Sequence, residues 1–276
     1  MLRDITLGQY YPHESVIHRL DPRVKIAATF LYLIMIFVVR DFVGYAFITC
    51  VLAAVTAVSH VPVRFMARGM KPIMFILVFT FIINLFVYKG TVLVQLGPVT
   101  ITDNGLRQAV FIAVRLILLI FGTSLLTYTT KPMQLTDGFE SMMRPLAKVG
   151  VPAHEIAMMM SIALRFIPVL LEETDKIMKA QQARGADFES GNLMKRAKSL
   201  IPLFIPLFVN AFRMAIDLAM AMEARCYHGG NGRTRLHPMK FHRRDAVAVV
   251  LIVLFAAAVI VQASGVTGLP MLWPAR

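Results

Sequence analysis

The pattern of apolar and polar positions divides this chain into two kinds of segment: long apolar runs, and stretches in which single apolar residues recur at helical spacing. Over most of its length, long apolar runs are separated by short polar segments. Spans of ~20 mostly apolar residues are typical of membrane helices. The connection at 89–104 is rich in Gly, Thr and Val and is a candidate for a short hairpin. The pattern predicts five transmembrane helices, at about Ile26–Val39, Phe42–Ser59, Pro72–Tyr88, Leu106–Tyr128 and Asp245–Gln262.

Between the fourth and fifth runs the pattern changes to apolar residues spaced by alternating steps of four and three, mixed with charges. That spacing is typical of amphipathic helices. It predicts one short helix at Asp137–Leu146 and two long ones, at Pro152–Arg184 and Asn192–Cys226. The fold class we predict is an all-α membrane protein in three parts: helices 1–4 in residues 1–129, an amphipathic region at 130–244, and a last transmembrane helix in 245–276.

Composition and charge support a membrane protein over a soluble or a nucleic-acid-binding one. With 57% hydrophobic and 16% charged residues, this is not the composition of a soluble globular chain. The net charge of +13 is explained by basic loops between apolar spans rather than by a nucleic-acid surface. Lys and Arg concentrate in the amino terminus, at 60–71 and at 130–245, and are sparse at 40–41 and 89–105. The positive-inside rule therefore predicts a cytoplasmic amino terminus and amphipathic region, and an external carboxyl terminus.

The two long amphipathic helices end alike. Ala180–Arg184 aligns with Ala221–Arg225, and each arginine ends an apolar stripe. A cation in the last turn of a helix interacts favourably with the helix dipole, and a guanidinium can bind a carboxylate through two parallel hydrogen bonds. Gly185 suits the left-handed residue that often ends a helix. The alternative is that both arginines are ordinary solvated helix ends.

Three motifs together resemble a known family. They are His18-Arg19-Leu20-Asp21-Pro22-Arg23 before the first span, Ala163-Leu164-Arg165-Phe166-Ile167-Pro168 in the first long helix, and the two arginine tips. In these motifs and in span order the chain resembles the transmembrane T component of energy-coupling factor (ECF) transporters, which are related to the cobalt-type CbiQ permeases. The resemblance implies a non-catalytic scaffold of an ECF-type ABC importer in a prokaryotic cell membrane, for uptake of vitamins or transition-metal ions.

The resemblance also assigns roles to residues. The tips would bind two ABC-type ATPase subunits at the cytoplasmic face, through Ala183, Arg184, Gly185, Ala224, Arg225 and Cys226. The apolar faces would hold a small membrane-embedded S component, through Met160, Ala163, Ile167, Leu170, Leu207, Ala211, Met214 and Leu218. Asp21, Pro22 and Arg23 form the family-like amino-terminal motif. Cys226 replaces the family's glycine, so Gly229-Gly230 becomes the alternative helix stop.

The sequence lacks motifs for binding nucleotides, binding metals or catalysis. The sequence contains no G-x-x-x-x-G-K-[ST] phosphate loop, so we expect the ATPases to be separate polypeptides. His228, His237 and His242 lie among arginines and lysines that would repel a cation, and we expect no metal or cofactor. The main alternative is a self-contained secondary transporter or channel, for which Arg115 in the fourth span is the one strong candidate residue. A membrane-embedded enzyme is a second alternative, but the sequence offers no acid/base or metal-binding group of residues for it.

Overall fold

The structure is a computed structural model that describes residues 10–39, 41–88, 90–96, 99–188, 192–229 and 239–264. Its described part is helical apart from one two-stranded antiparallel hairpin. The helices are α1 Pro22–Val38, α2 Phe42–Ser59, α3 Val63–Val87, α4 Asp103–Thr129, α5 Pro132–Met143, α6 Ala153–Ala183, α7 Leu193–Ser199, α8 Ile201–Ala224 and α9 Arg243–Ala263. The strands are β1 Val92–Leu96 and β2 Val99–Thr102, and a 3-10 helix, Arg144–Val149, follows α5.

Five of the helices, α1, α2, α3, α4 and α9, lie at the five predicted spans. By length and composition alone, six helical segments of the described chain could cross a membrane: α2, α3, α4, α6, α9, and Arg196–Ala224, which joins the end of α7 to α8. At 17 residues, α1 is slightly shorter than these. An all-α membrane protein is therefore confirmed, and so is the hairpin between the third and fourth spans. That α6 and α8 lie on the cytoplasmic side stays a prediction.

The short helix predicted at Asp137–Leu146 begins earlier, at Pro132, and ends at Met143, where the 3-10 helix follows. Two further differences from the prediction involve proline. Pro72 lies inside α3 rather than at its start, because the segment predicted as a basic loop is helical from Val63 onward. A proline inside a membrane helix is tolerated where neighbouring groups bond the carbonyl that it leaves unpaired. The second long amphipathic helix is divided into α7 and α8 at Leu200. Pro202 follows that break, and its missing N–H favours the first turn of a new helix.

The described chain packs as two units, of which the first comprises the described residues from 10 to 138 and residues 239–264. We call it the bundle; it contains α1–α4, the hairpin and α9. Helix α4 packs against α1, α2 and α3, and α9 packs mainly against α1. The bundle core is apolar and fully or almost fully buried, and includes Met35, Ile36, Tyr45, Ile48, Met66, Phe111, Leu118 and Val259.

A polar cluster ties three helix ends of the bundle together. Asp21, the N-cap of α1, accepts a hydrogen bond from the Arg23 amide, and its own amide donates to Asp245 Oδ1 at 2.8 Å. Asp245 is 2% exposed, and its Oδ2 accepts from the His242 amide as part of the capping box of α9. The buried Lys25 ammonium donates to the carbonyls of His18 at 3.0 Å and Thr129 at 2.9 Å. Each buried charge in this cluster therefore has a hydrogen-bond partner.

The described part of the second unit comprises residues 139–188 and 192–229 and is dominated by α6 and α8, which pack against each other. We call these two helices the helix pair. Within them, Ala153, Ala157 and Leu203 are buried, and most other side chains are half-buried or exposed. The helix pair therefore leaves much apolar surface uncovered by its own residues.

Candidate functional site

The tip of α6 is a Schellman motif, the common left-handed helix end. Arg184 is the C-cap, and Gly185 follows with φ +89°. The Gly185 amide donates to the Gln182 carbonyl and the Ala186 amide to the Gln181 carbonyl, both at 2.9 Å. These two bonds define the motif. Ala183, Arg184 and Gly185 are all exposed, so the predicted site residues stand at the surface of the unit.

The tip of α8 has the same hydrogen bonds without the glycine. Arg225 is the C-cap, and Cys226 adopts φ +54°. The Cys226 amide donates to the Glu223 carbonyl at 2.9 Å, and the Tyr227 amide to the Met222 carbonyl at 3.0 Å. The expectation that Gly229-Gly230 takes over as the helix stop is wrong, because the chain turns at Cys226 itself. Gly229 also has a positive φ, but it lies beyond the completed motif, and Gly230 lies outside the described residues.

Cys226 makes this turn at an energetic cost that Gly185 avoids. A left-handed conformation brings Cβ close to the following carbonyl oxygen and costs an L-residue about 1–2 kcal/mol. No atom lies within 4 Å of a Cβ built on Gly185, so the space around the first tip is open. The two tips therefore share one backbone geometry and differ in intrinsic strain.

Both arginine side chains are exposed. In the part of the chain that the structure describes, neither Arg184 nor Arg225 forms an ion pair. A guanidinium in this situation keeps all five N–H donors for an external acceptor, and its planar fork fits a carboxylate. The chemistry of each tip is thus suited to binding an acidic group on another molecule.

The tips lie at opposite ends of the helix pair. Tyr227, just after the α8 tip, places its hydroxyl 3.4 Å from His154 Nε2 in the first turn of α6. His154 Nδ1 lies 3.2 Å from Glu140 Oε1, which fixes the ring from its other side. Since α6 then runs 31 residues to Arg184, the two arginines are separated by roughly 45 Å along that helix. The sequence showed that the two helix ends match. It did not show that they lie at opposite ends of α6.

The predicted apolar stripe is split by the packing. On α6, Met160, Ala163 and Ile167 are exposed. Leu170 lines an apolar groove of about 260 Å³ between the two helices, together with Ala211, Met214 and Leu218 of the predicted α8 stripe. Leu207 is half-buried. The α8 half of the stripe is therefore largely directed at α6, and its contact with an S component stays a prediction.

A second apolar face of α8 was missed by the sequence analysis. We call it the phenylalanine ridge; its members repeat every four residues and are all about half or more exposed: Phe204, Phe208, Phe212, Ile216 and Met220. Phe212, at 66%, is the most exposed of them. The signal was present in the sequence as a run of large apolar residues at a strict step of four. The ridge was not predicted because the expected helical pattern was alternating steps of four and three, which the neighbouring stripe of α8 follows.

The amino-terminal motif and Arg115 both belong to the bundle. Asp21 caps α1 and bonds Asp245, so the motif's contacts here are with the bundle itself. Arg115 Nε donates to the Tyr45 hydroxyl at 2.7 Å, and its guanidinium lies over the rings of Phe37 and Phe111. The intramembrane arginine thus has structural partners, which removes the main support for a self-contained transporter.

No metal centre is visible in the described chain. Among those residues, no group of three or more His, Cys, Asp or Glu side chains is arranged to hold a metal ion. His228 and His242 are described, whereas His237 lies outside the described residues.

Taken together, the fold is that of a multi-pass helical membrane protein whose helix pair presents two exposed arginine tips. The family model described as "CbiQ: Cobalt transport protein" matches residues 13–236. The energy-coupling factor transporter transmembrane protein EcfT of Thermosediminibacter oceani is 56% identical over 261 residues, which cover 95% of this chain and 98% of the relative. EcfT of Bacillus subtilis is 44% identical over 258 residues, covering 93% and 97%. The chain therefore belongs to the CbiQ and EcfT family of transporter membrane components, as its motifs predicted.

Proposed function

We propose that this chain couples ATP hydrolysis in two partner ATPases to the movement of a substrate-binding S component, for uptake of vitamins or transition-metal ions. The single observation that supports this most strongly is the pair of matching tips. Two helices of one unit end in the same hydrogen-bonded turn, and each turn presents an exposed arginine with no internal counter-charge in the described chain. Two equivalent sites about a helix length apart suit two copies or two relatives of one partner.

Each tip would bind an acidic groove on one ATPase subunit. The Schellman turn fixes the backbone at the arginine, so little conformational freedom is lost when the guanidinium binds a carboxylate. Closure of the two ATPases would then move Arg184 and Arg225 relative to each other. Because a helix is stiff over its length, that movement is passed along α6 and α8 to whatever lies on their apolar faces.

The S component would lie on the apolar surface of the helix pair. We propose the exposed residues Met160, Ala163 and Ile167 of α6 as part of that surface, and we add the phenylalanine ridge of α8 to it. The ridge buries large aromatic area when covered, which makes such residues strong contributors to interfaces. Leu207, Ala211, Met214 and Leu218 would then act mainly through the contact between α6 and α8.

The test is charge reversal at both tips, Arg184→Glu with Arg225→Glu. We expect the purified double variant to insert into membranes but to lose the ATPases on co-purification, and with them ATP-dependent uptake. Arg68→Glu is the matched control, because Ala67-Arg68-Gly69 has the same letters inside α3, where Arg68 lies over the Phe65 ring. If the double variant keeps its ATPases and its uptake rate, the coupling role of the tips is wrong.

The orientation of the tips is a separate part of the proposal, with the amino terminus and both tips cytoplasmic and the carboxyl terminus outside. The chain's own cysteine provides the probe, because Cys226 is exposed beside Arg225. In a Cys50→Ser background, a membrane-impermeant maleimide should label Cys226 in inverted vesicles and not in right-side-out vesicles. Labelling only in right-side-out vesicles would place the tips outside and overturn the orientation.

A further inference from the structure

The bundle contains an elongated apolar groove that its core does not fill. The groove is bounded by α1, α2, α4 and α9 and consists of two adjoining compartments of about 400 Å³ and 190 Å³. Both compartments are lined by Ala28, Val55, Gly122 and Leu251, so they form one continuous space. All four helices belong to the bundle, and nearly all the lining atoms are carbon. A groove of this kind between membrane helices is open to acyl chains rather than to water.

The length of the groove matches one leaflet. Along α9 its lining runs from Arg244 in the first turn to Phe255. Eleven residues of helix correspond to about 16 Å, roughly half of the ~30 Å hydrocarbon core of a bilayer. The wider compartment contains the charged end, and the narrower one continues toward the middle of the span.

The floor of the groove is preformed. The Tyr32 hydroxyl donates to the Leu118 carbonyl at 2.9 Å, which fixes the ring between α1 and α4. The ring lies so close to Gly122 that a Cβ there would overlap Tyr32, so only glycine permits this approach. The groove is therefore a built feature of the packing rather than a gap between loosely placed side chains.

One end of the groove is basic. The wider compartment is lined there by Lys25 and Arg244, and Arg244 is shared with an adjoining polar recess of about 750 Å³. That recess is also lined by Arg19, His60 and Glu14. Glu14 is paired with Arg19, whereas Arg244 is exposed and forms no ion pair with any described residue. The uncompensated charge at the mouth is thus positive, and Arg244 is its centre.

We propose that this groove binds one acyl chain of an anionic phospholipid, with the lipid phosphate at Arg244. The acyl chain is held in the groove by close van der Waals packing, and the guanidinium binds phosphate oxygens through paired hydrogen bonds. Anionic headgroups are attracted to basic residues at the membrane surface. Neither term alone makes a specific site; the groove and the cation together select an anionic lipid over a zwitterionic one of equal chain length.

The experiment uses the full chain purified in detergent and analysed by native mass spectrometry. The probes are phosphatidylglycerol and phosphatidylcholine with identical acyl chains, added singly and in competition. We expect the wild-type protein to retain one phosphatidylglycerol in preference to phosphatidylcholine. Arg244→Ala should reduce that preference by about fivefold, the effect of one surface cation on an anionic lipid. Arg243→Ala is the matched control, since Arg243 is also exposed but does not line the groove.

A second pair of variants tests the groove itself. Ala28→Phe fills both compartments and should abolish retention of the lipid, while Ala27→Phe, on the exposed neighbouring position, should leave it intact. Equal retention of the two lipids by wild-type protein would overturn the proposal, as would equal losses in Arg243→Ala and Arg244→Ala. Displacement of the lipid by millimolar inorganic phosphate alone, with no effect of Ala28→Phe, would show a phosphate site without an acyl groove and would also overturn it.

Discussion

The bundle and the helix pair differ in how they satisfy their own polar and apolar groups. In the bundle, Asp21, Lys25, Asp245 and even the intramembrane Arg115 have hydrogen-bond partners. In the helix pair, Arg184 and the phenylalanine ridge are left at the surface. Both units expose apolar side chains, but the charges at the contacts between the bundle helices are bonded within the bundle, whereas the arginine tips leave their donors to external acceptors. In the function that we propose, the bundle anchors the protein in the membrane and the helix pair binds its partners.

The largest expected effect is the loss of Asp245 from the bundle. Asp245→Ala leaves the Asp21 and His242 amides without their acceptor and removes a buried carboxylate near Lys25. Breaking a buried charged network of this kind costs about 3–5 kcal/mol. The free energy of unfolding should be measured by chemical denaturation in mixed micelles. Asp217→Ala, at an exposed position of α8, is the control and should change it by less than about 0.5 kcal/mol. Equal effects at the two positions would remove the distinction between the units.

The next largest loss of stability is expected on replacing Arg115, which also tests whether this residue stabilises the bundle or takes part in transport. Arg115→Gln removes the hydrogen bond to the Tyr45 hydroxyl and the contacts with Phe37 and Phe111. The Tyr45 hydroxyl keeps its hydrogen bond to the Ile36 carbonyl, so the loss is that of one hydrogen bond to a charged group, about 1.5–3 kcal/mol. Thermal unfolding should show this loss, and ATP-dependent uptake per folded molecule should be unchanged. A fully folded variant without uptake would instead make Arg115 a residue of the transport pathway.

Sequence patterns predicted most of this architecture because the relevant signals are local. Five apolar runs, two helices with a helical stripe and two matching tips all follow from spacing along the chain. The hairpin at β1 and β2 was predicted from turn-forming and β-branched residues in the same way. The family membership was predicted from short motifs that lie at these elements.

What the sequence could not provide depends on contacts between distant residues. Nothing near Asp21 indicates that its amide bonds Asp245, and nothing in α8 alone shows that Met214 and Leu218 are directed at α6. The helix end beside Cys226 was predicted, but the left-handed turn at Cys226 was not, because residue preference favours glycine in such a turn while the hydrogen bonds of the tip impose it on cysteine.

The two tips predict opposite effects of a matched exchange. Gly185→Ala introduces a Cβ at φ +89°, and Cys226→Gly removes one at φ +54°. We expect the first to destabilise its helix end and the second to stabilise its helix end, each by about 1 kcal/mol. Hydrogen exchange of the Ala186 and Tyr227 amides, which close the two motifs, reports each end separately. Effects of the same sign at both tips would contradict the strain that we assign to Cys226.

The smallest expected effect is a dependence of bundle stability on pH. His18 lies just before α1, and burial, followed by the nearby Lys25 charge, lowers its pKa from the ordinary value of 6.5. Because the folded pKa lies below the unfolded one, the fold favours the neutral ring. The stabilisation is fully present above about pH 6.5 and is lost as the pH falls from there through the folded pKa.

Variants of one histidine from each unit test whether this pH dependence belongs to the bundle. Unfolding of the bundle at pH 7.5 and pH 5, followed in His18→Gln and wild-type protein, should show a smaller loss on acidification in the variant. His228→Gln, on the exposed segment after the α8 tip, should behave like wild type. Since His18 Nδ1 also bonds Ser15 Oγ at 2.7 Å, glutamine is chosen because it keeps a polar group within reach of that hydroxyl. An unchanged pH profile in His18→Gln would mean that other groups carry the acid sensitivity of the bundle.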